Sequence, residues 1–164
     1  MRAVPTPETI RPSRRPPTSG DRHATIRRSE AALAAVPLFD RFSKRHLRRL
    51  AEEADVVGFA PGRAVVEEGQ AGEAMFVVLS GAARVTRGGR TVSELVPGDF
   101  FGELSALDGG ARTASVVAQT PVEVLRLFRH TLREMIEDEP ALVMGLLEGL
   151  ARRLRHVLPS EPVA

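Results

Sequence analysis

Between Asp55 and Phe128 the apolar residues come only in short runs, among them VVGFA, AVVEE, AMFVVLS, AARVT and RTVSELV, with glycine turns between them. Turn signals fall about eight to twelve residues apart and β-branched residues dominate the runs, the pattern of short antiparallel strands in a sandwich or small barrel. Gly88-Gly89 predicts a hairpin between residues 82–87 and 90–96. Two further runs, RTASVVAQT and PVEVLRLF, read as strands joined at Thr120-Pro121.

The flanks carry a helical period. SEAALAAV, from Ser29, opens a short helix that Pro37 stops. Ser43 can cap a second helix, in which Leu47, Leu50 and Ala54 form one apolar stripe. Towards the C-terminus, Leu132, Met135 and Ile136 predict an amphipathic helix over 129–138. Pro140 sits near the start of another, with Leu142, Leu146, Leu150, Leu154 and Leu158 at spacing four before Pro159. The expected fold is α+β: an antiparallel β-barrel of jelly-roll type, flanked by an N-terminal helical segment and two C-terminal helices.

Residues 1–28 hold seven arginines against two acids, Glu8 and Asp21, with five Pro and six Ser or Thr. Such a segment shows no apolar period and is expected to be a disordered tail, as is 159–164; the domain is expected to span 29–158. The remaining 136 residues carry 16 basic and 19 acidic side chains, so the overall charge of +2 hides a basic tail on a mildly acidic domain. That tail raises one alternative, a nucleic-acid-associated regulator acting through its arginines. With no cysteine, disulfides and thiolate metal sites are excluded. No run approaches the roughly 20 apolar residues of a membrane span, and the N-terminus lacks a secretory core. A cytoplasmic protein without membrane contact is expected.

The stretch GDFFGELSALDGGARTASVVA, 98–118, places Glu103 and Arg112 among core-like neighbours. Gly102 lets the backbone approach another group closely, and ELSAL can form a helical turn whose N–H groups face an anion. Arg112 can grip phosphate with two parallel hydrogen bonds, whereas Glu103 is suited to accepting from hydroxyls. Together they describe a sugar phosphate held in the barrel. On residue types alone, an internal Glu103–Arg112 salt bridge is an equal alternative.

This stretch resembles the phosphate-binding cassette of cyclic nucleotide-binding domains. VPLFDRFSKRHLRRLAEEA, PGRAVVEEGQ, MFVVLSGAARV and VPGDFFGE are similar to other parts of that family, so the resemblance extends over 36–158. It implies that Glu103 accepts the ribose 2′-OH beside Gly102 and Leu104, and that Arg112 pairs with the cyclic phosphate, assisted by Thr113 and Ala114. It also implies that Val85, Val92 and Ser93 line the nucleotide, and that Arg153 and Val157 lie on a lid helix over the base. The implied ligand is cAMP, on family frequency. Because Val157 stands where relatives have the adenine-reading threonine, and Thr113 suits a syn purine, cGMP stays open.

The expected function is a sensor that moves its C-terminal helices on binding and signals to a protein effector. No catalysis is expected, since no residue grouping pairs a nucleophile with a base and the four histidines share no metal-ligand spacing. The family's transcription factors carry a helix-turn-helix after this domain, for which the sequence beyond Leu158 leaves no room. DNA binding by that route is therefore not expected, and a homodimer through the final helix is left open by Pro159. A scaffold or cargo-adaptor module of the same fold is the other alternative.

Overall fold

The computed structural model describes residues 18–158. Helix α1 spans Ser19–Ala34, so it starts ten residues before the expected boundary at Ser29. The reason is a capping box: the Thr18 hydroxyl accepts from the Asp21 N–H at 3.3 Å, and the Asp21 carboxylate accepts from the Thr18 N–H at 3.0 Å. The parts of the expected tails at 1–17 and 159–164 lie outside the described residues.

A 3₁₀ turn, Pro37–Phe39, leads to α2, Lys44–Glu53, which is capped by Ser43. Eight strands and three helices follow: β1 Asp55–Phe59, β2 Ala64–Val66, β3 Ala74–Ser80, β4 Ala83–Arg87, β5 Arg90–Leu95, β6 Phe100–Phe101, α3 Glu103–Asp108, β7 Ser115–Ala118, β8 Val122–Phe128, α4 Arg129–Asp138 and α5 Leu142–Val157. The hairpin at Gly88-Gly89 forms as expected, with Arg87 opposite Arg90 and Val85 opposite Ser93. Both glycines have positive φ, 57° and 76°, which is what a two-residue turn between twisted strands requires.

The strands form two antiparallel sheets of four, in the orders β1-β8-β3-β6 and β2-β7-β4-β5; the antiparallel strands expected are present, and the sheets are not closed into the jelly-roll barrel. Period-two patterning specifies strands and their faces, but closure depends on register between the edge strands, which it does not encode. The first sheet is buried on both sides. Met75, Val77, Leu125 and Leu127 face the helices, whereas Phe76, Val78, Val122 and Val124 join Ala83, Leu95, Val116 and Ala118 between the sheets. That double burial explains why β3 is a continuous apolar run instead of an alternating one.

Helix α5 lies across the Pro37–Phe39 turn, where Gly149 allows close approach: a Cβ there would sit 2.7 Å from the Leu38 Cα. Arg41 clamps the same helix through Glu148, with Nε–Oε2 at 2.9 Å and Nη2–Oε1 at 2.6 Å. The leucine stripe at spacing four is buried only in its first half. Leu142 and Leu146 are core, Leu150 is half-buried, and Leu154 and Leu158 are exposed. At about 100° per residue, each step of four turns the stripe about 40° further round the helix.

Candidate functional site

Arg112 is 8% exposed, on the segment between α3 and β7. Its Nη1 donates to the carbonyls of Ala74 at 2.8 Å and Gly102 at 3.2 Å, and its guanidinium lies 5.6 Å from the Phe76 ring centroid. Burial lowers its pKa and the charge of Glu103 partly offsets this, yet an arginine stays protonated. Among the described residues it makes no ion pair. A buried cation answered only by carbonyls and a ring face is poorly compensated, and an anion beside its free N–H edge would repair that.

Two glycines create the space. A Cβ on Gly72 would overlap the Arg112 guanidinium, although nothing in the sequence around GQAG marks that position beyond a turn. At Gly102 the backbone is left-handed, φ 76°, and a Cβ would come 2.6 Å from Arg112 Nη1.

Glu103 is 6% exposed and opens α3. Its partner is Arg153 of α5, with Nε 3.3 Å from Oε1. The internal Glu103–Arg112 salt bridge allowed by residue types is therefore not formed. Arg153 also donates through Nη1 to the Phe100 carbonyl at 3.0 Å and lies 4.5 Å from that ring's centroid. Arg153, 53 positions from Phe100, thus brings the C-terminal helix to the cassette through Phe100 and Glu103.

These groups border a cavity of about 350 Å³. Gly102, Glu103, Leu104, Arg112, Thr113 and Ala114 form one wall, Val85, Val92 and Ser93 lie on β4 and β5, and Arg153 and Val157 reach in from α5. Val92, Leu104 and Val157 are 53%, 49% and 72% exposed, so apolar surface is open to solvent around it. Sequence reasoning missed Arg87, whose signal was its place two residues after Val85 and next to the glycine turn. It also missed Val66, Leu95, Phe101, Ser105 and Val116. Among the described residues, no group of three His, Cys, Asp or Glu could hold a metal ion, and no helix is long and apolar enough to cross a membrane.

The model of the cyclic nucleotide-binding domain matches residues 56–139. The chain is 34% identical over 129 residues to a CRP-like cAMP-activated global transcriptional regulator of Mycobacterium tuberculosis, covering 76% of this chain and 58% of that one. It is also 34% identical over 140 residues to the cGMP-dependent protein kinase egl-4 of Caenorhabditis elegans, covering 80% and 18%. Among solved structures it resembles the catabolite activator protein of Thermus thermophilus, with a TM-score of 0.65, 36% identity and 73% and 59% of the two chains covered. The chain thus spans less than two thirds of these proteins.

Proposed function

The chain belongs to the cyclic nucleotide-binding domain family, and on that premise we propose that it is a regulatory sensor of a cyclic purine nucleotide, with no catalysis of its own. The observation that carries this reading is the buried guanidinium of Arg112, which makes no ion pair among the described residues and faces a cavity bordered by Glu103. Arg112, with Thr113 and Ala114, holds the cyclic phosphate, and Glu103 accepts the ribose hydroxyl beside Gly102 and Leu104. Val85, Val92 and Ser93 flank the base, and Val157 covers it. Relatives named for cAMP make cAMP the first ligand to test.

The signal runs through Arg153. A ribose hydroxyl on Glu103 competes with Arg153 for the same carboxylate, so ligand binding shifts the populations of α5 positions. A cytoplasmic protein effector then reads the helix. The same helix supports a homodimer: Met144, Leu147, Ala151, Leu154 and Leu158 are all exposed and alternate at spacings of three and four, the seam of a two-stranded coiled coil.

The reading is tested by thermal unfolding of the full chain with and without cAMP or cGMP. A nucleotide that binds the folded state raises the midpoint in a concentration-dependent way. No shift with either at millimolar concentration contradicts the reading.

A further inference from the structure

We propose that Arg87 reads the edge of the base and selects guanine over adenine; this rests on the cyclic nucleotide reading above. Arg87 ends β4, and its side chain borders the same cavity as Arg112. Its Nε donates to the Thr113 carbonyl at 3.2 Å, which anchors the guanidinium at the rim beside the cassette. Among the described residues its two terminal nitrogens have no hydrogen-bond partner and the side chain makes no ion pair.

The other two arginines of the cavity are committed. Arg112 is turned to the phosphate, and Arg153 keeps the Phe100 carbonyl and the face of that ring when the ribose takes Glu103. With phosphate on Arg112 and ribose on Glu103, the base occupies the remaining floor, over Val85 and Val92, with Arg87 at its edge. A guanidinium presents parallel donors and no acceptor. Guanine answers with two acceptors, O6 and N7, whereas adenine puts its amino donor beside N7 and opposes one of the two bonds. Glu103, the sole carboxylate among the described residues of the lining, is taken by the ribose hydroxyl, so it is not available to the adenine amino group.

The test is calorimetry on the full chain with cGMP, cAMP and cyclic inosine monophosphate, which keeps O6 and N7 but lacks the guanine amino group. Wild type is expected to bind cGMP and the inosine analogue about tenfold or more tighter than cAMP. Arg87→Lys is expected to remove that preference, because lysine keeps the charge and loses the fork, and Arg87→Ala is expected to cost cGMP and the inosine analogue more affinity than cAMP. Equal affinities in wild type, or an equal loss for all three ligands in Arg87→Ala, overturn the inference while leaving the cyclic nucleotide reading intact. If none of the three binds, both readings fall.

Discussion

Arg153, near the end of α5, holds its Nε 3.3 Å from Oε1 of Glu103, the first residue of α3. Glu103 is buried and Arg153 half-exposed, so truncating the arginine strands a carboxylate in a poorly solvated place. Arg153→Ala is expected to lower unfolding stability by about 1–2 kcal/mol, less than for a fully buried pair. It is also expected to increase amide exchange in 151–158. Urea denaturation and hydrogen exchange check the two effects.

Gly72 has no positive-φ requirement, so a substitution there acts through space alone. In Gly72→Ala the new methyl collides with the Arg112 guanidinium, and the arginine must leave its carbonyl partners. Nucleotide affinity is expected to fall with Arg112 itself intact, along with a stability loss of about 1–3 kcal/mol. Calorimetry and denaturation of this single variant test both.

A helix-interior glycine replaced by alanine ordinarily gains up to about 1 kcal/mol. At Gly149 the sign is expected to reverse, because the methyl would press on the backbone of Leu38 and lift α5 from the Pro37–Phe39 turn. A Gly149→Ala protein as stable as wild type in urea would contradict that packing.

Hydrogen bonds from Arg41 hold the Glu148 carboxyl below the usual carboxylate range. With its pKa lower in the folded state than in the unfolded one, the clamp contributes above the ordinary value of 4.5 and is lost as pH falls through the folded value. The melting-temperature gap between wild type and Arg41→Ala is therefore expected to be present at pH 7 and to close on acidification. A gap that widens towards pH 3 would refute the linkage.

If α5 joins two copies, a charge in its exposed seam separates them. Leu154→Glu is expected to convert a dimer to a monomer in light scattering without lowering the melting temperature of the monomeric domain, since Leu154 is 55% exposed. A wild-type chain that is monomeric at high concentration disposes of the homodimer.

The strands and the two site charges were legible because each depends on local pattern: turn glycines at regular spacing, and Glu103 and Arg112 set among apolar neighbours. What pairs with those charges was not legible. The carbonyl of Ala74 and the side chain of Arg153 come from segments distant in sequence, brought in by sheet pairing and by the packing of α5. The start of α1 was hidden for another reason: only Ser29 and Leu33 of that helix are buried, so it has almost no apolar stripe. Thr18 and Asp21 held the signal, inside a segment whose Arg and Pro content argued for disorder.

The most direct test of the central claim is calorimetric titration of wild type, Glu103→Gln and Arg112→Ala with cAMP and cGMP. The account predicts one site per chain in wild type and an affinity loss of about tenfold or more in each variant, consistent with a lost charge-assisted hydrogen bond. Folding is checked alongside by circular dichroism. A folded Arg112→Ala protein that binds nucleotide as tightly as wild type would contradict it.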